Sequence, residues 1–376
     1  MPIINLKLDN ILSFSNFDIN FSYPIKLRNT LIPNENLAKV PIFRYKKLNI
    51  FVGANASGKT SLVKCIWRIL DFLASKEKNI IMSIVNFNYA NSYIEIDITD
   101  NDVLHKFKIK TINDKNDFKI LVSHAYVNLP KFSSYENKIR DLSAIEDNYM
   151  DYIECLNNVD FDSGWHVALP ATENNFEAID FYNGDSEEEN LDYLHILNQV
   201  LKTLDQSITS VYKSNDADNA YVIDHENIGK IIVQEGNNLS SIPFLSSGTK
   251  YGFNIANVIF SIKHHRNEIY LIDEQFSYVN SDVEAAILST MVAMLGPNEQ
   301  IFFTTHNSNI LSLGFPFHSF YFMKKERENN KSVISISCAS LAENRNNVSP
   351  KSLLDNDVFA SAPNVNRIFE IGENDE

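Results

Sequence analysis

Residues 48–60 read Leu48-Asn49-Ile50-Phe51-Val52-Gly53-Ala54-Asn55-Ala56-Ser57-Gly58-Lys59-Thr60. Leu48, Ile50 and Val52 alternate with Asn49 and Phe51, the period-two pattern of a buried strand. From Gly53 onward the residues fit G-x-x-x-x-G-K-[ST] at every fixed position. That pattern is short enough to arise by chance, so its surroundings decide the reading. Downstream, Leu62, Ile66 and Ile69 fall on one face of a helical repeat. Strand, glycine loop and helix, in that order, aim backbone N–H groups and a helix N-terminus at phosphate. Gly53 and Gly58 permit backbone angles closed to other residues. Lys59 brings a point charge for outer phosphates, and the Thr60 hydroxyl suits Mg²⁺. The candidate phosphate-binding residues are thus Gly53, Ala54, Asn55, Ala56, Ser57, Gly58, Lys59, Thr60 and Ser61. The bland alternative is a tight glycine turn between a strand and a helix.

Three later segments extend the reading. Leu245-Ser246-Ser247-Gly248-Thr249 precedes a stretch in which Tyr251, Ile255, Val258, Ile259 and Ile262 recur at mostly three- and four-residue steps, so a helix starts there. Ser and Gly at a helix entrance offer N–H groups and hydroxyls to an anion, which makes Ser246, Ser247 and Gly248 candidates. An N-capping serine is the competing reading. Ile269-Tyr270-Leu271-Ile272 then reads as a buried parallel strand ending in Asp273-Glu274. Two adjacent carboxylates at the end of an apolar strand are costly unless they meet a cation. Asp273 is the candidate metal ligand beside Thr60, and Glu274 the candidate base for an attacking water. A further apolar strand, Gln300 to Thr305, closes on His306, a second candidate catalytic residue.

This ordered set resembles the ABC-type P-loop ATPases of the SMC, RecF and OLD-like branch. Within it the chain looks most like the stand-alone ATPases of bacterial anti-phage systems such as PARIS, Septu and retron-linked modules. The resemblance rests on residues 1–112 and about 221–337. It departs from the common signature loop at Ser247, where Gly is usual, and at Thr249, where Gln or Glu is usual. No Q-loop glutamine is identifiable, and Asp282-Val283-Glu284 replaces the familiar D-loop wording. The resemblance implies an α/β P-loop NTPase of ABC type, with a mixed sheet core, N-terminal antiparallel hairpins and a compact, mainly helical insertion. It implies ATP and Mg²⁺ as cofactors. It also implies a head-to-tail homodimer, or an assembly of dimers, in which Ser246 and Gly248 of one chain meet the γ-phosphate held by the other and His306 acts as the switch histidine. The output would be slow ATP hydrolysis that regulates a separately encoded effector, a nuclease or toxin. The alternative is a DNA-repair or chromosome-maintenance ATPase of the RecF or SMC kind. OLD nucleases add a C-terminal Toprim domain, for which the sequence up to Glu376 leaves no room.

Spacing and composition set the remaining bounds. Residues 1–125 are expected to form the N-terminal lobe, 126–220 a helical insertion or arm, 221–345 the C-terminal lobe and 346–376 a tail. The insertion sustains no heptads. Residues 1–21 alternate as a hairpin rather than a signal peptide, residues 92–112 as a second hairpin, and residues 184–189 as an acidic loop before a helix from Leu191 to Leu204. With 376 residues and 44% hydrophobic content the chain can bury a large core. It has no apolar run that would span a membrane. Three scattered cysteines without a CxxC fit a reducing cytoplasm. The formal charge of −15 gives no support to a dedicated nucleic-acid surface. Lys106, Lys108 and Lys110 alternate on one strand face, either as a local basic patch or as solvated edge-strand lysines. Lys324, Lys325 and Arg327 form another basic cluster.

Overall fold

A computed structural model describes residues 1–26, 30–114, 117–159, 161, 164–169, 181–182, 185–217, 219–236, 245–276, 279–328, 331–342 and 349–359. The chain divides into two compact units, Met1–Ser163 with Phe303–Glu376, and Gly164–Phe302.

The first unit opens with the expected N-terminal hairpin, β1 (Ile3–Asp9) and β2 (Phe17–Asn20), paired antiparallel. Strand β3 (Leu48–Val52) leads through the glycine loop into helix α1 (Lys59–Ser75), and the short α2 (Lys78–Met82) follows. Leu62, Ile66 and Ile69 are all fully buried, as their spacing demands. A second hairpin, β4 (Asn91–Asp100) and β5 (Val103–Asp114), is extended by β6 (Asp117–Asn128). Beyond these lie α3 (Tyr135–Ser143), β7 (Met150–Asp151) and α4 (Tyr152–Leu156). One six-stranded sheet takes the order β2-β1-β4-β5-β6-β7, and every neighbouring pair in it is antiparallel.

In the second unit, β8 (Trp165–Ala168) pairs parallel with β12 (Ile269–Asp273). Helix α5 (Glu187–Leu204) precedes a three-stranded antiparallel sheet of β9 (Ile208–Lys213), β10 (Ala220–His225) and β11 (Gly229–Gln234). Helices α6 (Ser247–Lys263) and α7 (Ser281–Met294) complete it. The chain then runs through β13 (Gln300–Thr305) back into the first unit. There β14 (Phe320–Glu328) lies parallel to β3 and antiparallel to β15 (Lys331–Cys338), and α8 (Pro350–Asp355) follows. The fold is mixed α/β, with one antiparallel sheet and one mixed sheet in the first unit.

Two expectations are corrected. The acidic run is not a loop throughout: Ser186 caps α5, accepting from the Glu189 N–H at 3.2 Å, and Glu187, Glu188 and Glu189 form its first turn. Acidic side chains at a helix N-terminus complement the macrodipole. Glu189 also meets the Arg266 guanidinium at 2.6 Å. Gly184 lies outside the described residues.

The lysines of β5 are neither a basic patch nor edge residues, because β5 sits between β4 and β6. Lys106 is buried, with its ammonium 2.8 Å from both Glu95 Oε1 and Asp97 Oδ1. Lys108 pairs with Asp147 at 2.7 Å, and Lys110 lies 3.8 Å from the centre of the Tyr149 ring. Cross-strand register places Asp97 opposite Lys106 and Glu95 opposite Lys108. Burial alone would raise Glu95, but hydrogen bonds from Lys106 and Tyr93, with the charges of Lys106 and Lys7, hold it below the usual carboxylate range. Burial pushes Asp97 up despite Lys106 and the Tyr135 hydroxyl, which donates to it at 2.8 Å.

Candidate functional site

The loop between β3 and α1 closes tightly upon itself. Gly53 must be glycine because a Cβ there would strike the Met323 carbonyl oxygen of β14 and lie 2.8 Å from Ser57 Oγ. Ala56 and Gly58 have positive φ, 61° and 103°. A Cβ on Gly58 would fall 2.5 Å from Ile334 Cδ1 of β15. Strands β14 and β15 therefore back the loop at both glycines. Gly58 is the N-cap of α1 and supplies no side-chain acceptor to the first turn. Lys59 is buried and folds back into the loop, donating to the Gly53 carbonyl at 3.0 Å and the Ala54 carbonyl at 3.2 Å. Its Nζ also stands 3.4 Å from His306 Nδ1. The Ser57 hydroxyl is buried without a hydrogen-bond partner among the described residues. Asn55, Ala56 and Thr60 are exposed, and Ala54 and Ser61 partly so.

His306 follows the end of β13, whose Thr304 and Thr305 are buried. The Thr305 hydroxyl accepts from the Asn307 N–H at 2.9 Å, and Asn307 in turn accepts from Asn309 N–H. These local caps fix the turn that presents His306, which is exposed. The structure thus brings His306 to Lys59 although 247 residues separate them in sequence.

The remaining candidates belong to the second unit. Ser246 caps α6: its Oγ accepts from the Thr249 N–H at 3.1 Å and lies 2.7 Å from Thr249 Oγ1. Ser246 and Ser247 are exposed, Gly248 half-buried and Thr249 buried. Threonine at position 249 therefore completes the cap from inside the helix. Ser247 and Gly248, read from sequence as loop, form the first turn of α6.

Asp273 ends β12 fully buried, and Glu274 follows with φ of 43°, a left-handed backbone uncommon for a residue with a side chain. Sequence reasoning passed over Gln275. It is buried, its amide reaches back to the Asp273 carbonyl at 3.4 Å, and its Oε1 has no partner among the described residues. Its place beside two carboxylates was the available signal. Asp282 and Glu284 stand in the first turn of α7, with Glu284 buried.

A strand, a glycine-bounded loop folded around a lysine, and a helix that begins at that lysine define a P-loop ATPase domain. The chain belongs to the AAA_23 family, described as an AAA domain, whose model matches residues 5–221. No curated protein matches it. Among solved structures it is similar to an SMC head bound to the C-winged helix domain of ScpA, at 13% identity and a TM-score of 0.49, covering 91% of this chain and 100% of that one. It is also similar to the SMC head domain from Thermotoga maritima, at 14% identity and a TM-score of 0.41, covering 90% and 99%. A third is the recombination mediator protein RecF, at 12% identity and a TM-score of 0.39, covering 89% and 98%. No helix among the described residues is long and apolar enough to cross a membrane.

Proposed function

We propose that this protein binds Mg·ATP, hydrolyses it slowly in a head-to-tail dimer, and uses the cycle to control a separately encoded effector in bacterial anti-phage defence. The observation that carries the reading is the loop of residues 53–60. Its glycines let the loop pack against β14 and β15 where a Cβ would collide, and the loop already holds Lys59 against two carbonyl oxygens.

The residues fit the nucleotide and its metal. Backbone N–H groups from Gly53 to Ser61 would receive the phosphates at the start of α1. Lys59 would leave the Gly53 and Ala54 carbonyls for the outer phosphates, a more highly charged acceptor. Mg²⁺, when bound, would neutralise phosphate charge, and Thr60 and Asp273, hard oxygen donors, would hold it. Glu274 would take the proton of the attacking water. Its left-handed backbone fits a strained catalytic position. His306, released from Lys59, would contact the γ-phosphate. Ser246, Ser247 and Gly248 would serve the nucleotide of the partner copy, because a helix entrance suits an anion. ATP can bias such a dimer only by binding its closed state more tightly than its open state. The γ-phosphate, shared between Lys59 of one chain and Ser246 of the other, supplies that difference. The polar segment from about Ser133 to Gln206 would hold or release the effector, and the protein would remain in the cytoplasm.

Calorimetry and plating test the proposal together. Lys59→Ala should abolish or greatly weaken ATP binding. Glu274→Gln should keep binding but slow turnover by about 10²- to 10⁴-fold, the usual contribution of a general base. Phage protection should require the effector gene and be lost with Glu274→Gln. Unchanged affinity in the Lys59 variant refutes the nucleotide site. Full protection by the ATPase gene alone, or protection indifferent to Glu274, refutes the effector reading.

A further inference from the structure

A second chemical constellation lies in the first unit, away from the glycine loop. Lys46, two residues before β3, is only 6% exposed. Its ammonium donates to the Asn20 carbonyl at 3.2 Å, to the Tyr321 hydroxyl at 2.8 Å and to Cys338 Sγ at 3.8 Å. Cys338, at the end of β15 and partly exposed, receives a second donor from the Ser340 hydroxyl at 3.2 Å, and its own thiol faces the His318 carbonyl at 3.6 Å. The sulfur thus stands within reach of an ammonium and a hydroxyl while remaining partly exposed. Tyr321 holds the lysine in place, its ring stacked on Phe51 of β3 at 5.2 Å.

The other two cysteines differ. Cys65 and Cys155 are buried, and burial pushes both thiols up, so they stay protonated and inert. Burial also holds the Lys46 ammonium below the usual lysine range, against the opposing pull of Cys338 and Glu35. A larger share of Lys46 is therefore neutral amine, a nucleophile beside the sulfur.

We propose that Cys338 and Lys46 form a peroxide-sensitive covalent switch, a reversible sulfur–nitrogen bond between the end of β15 and the entry to β3. The chemistry takes two steps. The Cys338 sulfur attacks a peroxide oxygen: an S–O bond forms, the O–O bond breaks, and the leaving hydroxide takes the thiol proton to become water. Sulfur is oxidised by two electrons and the peroxide is reduced. The Lys46 amine then attacks the sulfenic sulfur: an S–N bond forms, the S–O bond breaks, and the departing hydroxide takes an amine proton. Thiol, amine and hydrogen peroxide thus give a sulfenamide and two waters. Two equivalents of external thiol reverse it, restoring thiol and amine and leaving one external disulfide. Trapping by the amine protects the sulfenic acid from further, irreversible oxidation.

The test is mass spectrometry of the whole chain after brief hydrogen peroxide treatment. Formation of the bond removes two hydrogens, so the protein should become about 2 Da lighter than the reduced chain, against heavier masses for the oxygenated acids. Proteolysis should yield one peptide pair joined through Lys46 and Cys338, cleaved by dithiothreitol. Lys46→Arg, which keeps the cation but not the nucleophile, should instead accumulate sulfinic acid at Cys338. The linked pair is read in the wild-type chain, so the conclusion stands even if the variant folds poorly. Oxygenated Cys338 with no linked peptide, a link to another amine, an unreacted Cys338, or a linked peptide that retains peroxide oxygen would each overturn the proposal.

Discussion

Gly58→Ala tests how β15 supports the nucleotide loop. Gly58 has a φ of 103°, and a side chain held in such a region costs about 1–3 kcal/mol. Contact adds to this. The new Cβ would sit 2.5 Å from Ile334 Cδ1, with Cγ2 and Cγ1 at 3.3 and 3.4 Å. Rotating the terminal methyl away does not clear the side chain, because the two branch atoms are already close. Ile334 is buried, and overpacking of this kind costs about 1–3 kcal/mol. Gly58→Ala alone should therefore destabilise the first unit by about 2–6 kcal/mol.

Ile334→Ala, which empties the opposing space, should cost about 2–5 kcal/mol by itself. In that background Gly58→Ala should lose its contact penalty and retain only the backbone penalty of about 1–3 kcal/mol. The assay is urea unfolding followed by Trp67 fluorescence, with Trp165→Phe as the common background. Trp67 lies on α1 in the first unit, whereas Trp165 lies on β8 in the second. Costs that add to within about 0.5 kcal/mol would refute the argument, since contacting residues must couple.

Lys106→Met should destabilise the first unit by about 3–5 kcal/mol, because Glu95 and Asp97 would remain buried beside an uncharged side chain; the same urea experiment measures it, and a loss below about 1 kcal/mol would place the ion cluster in solvent. Ser246→Ala should weaken the start of α6 by about 0.5–2 kcal/mol through loss of the cap on Thr249, and faster amide exchange at Thr249 would show the fraying. Burial, then the neighbouring His105, lowers His124 from 6.5 to about 4. Between those two values the unfolded chain binds more protons than the folded one, so this histidine makes stability fall as pH drops through that window. His124→Phe should flatten the acid side of a plot of melting temperature against pH, and an unchanged slope would refute the assignment.

The fold was legible wherever one strand or helix carried its own period. The two N-terminal hairpins, α1 and α6 could be read from alternation or helical spacing because each has one apolar face, β12 from an unbroken apolar run, and the glycine loop from its fixed residues. Strand β6 was not read: Phe118, Ile120 and Val122 alternate with Lys119, Leu121 and Ser123, but Leu121 interrupts the polar face and blurs the period. Missing β6 made β5 look like an edge, and the lysines were misread in consequence. Their partners lie on β4 and in the residues just before β7, and only register reveals them. Local chemistry also left Ser246 ambiguous, since a capping serine and an anion-binding serine use the same atoms. The approach of His306 to Lys59 depends on a return of the chain that no local pattern encodes. The positive φ of Glu274 likewise has no sequence signature, because the residue is not one that favours it.

The buried charges of the antiparallel sheet have a consequence for descent. Glu95, Asp97 and Lys106 sit on two neighbouring strands and share one ammonium. An ancestor losing only the lysine would carry two stranded carboxylates, and one losing only a carboxylate would carry a poorly balanced cation. Single steps away from the trio pass through damaged proteins, whereas joint replacement by well-packed apolar residues can be nearly neutral. Relatives should therefore keep all three charges or lack all three, and these positions should covary across the family more strongly than the exposed pair Lys138 and Asp141, which can drift apart freely.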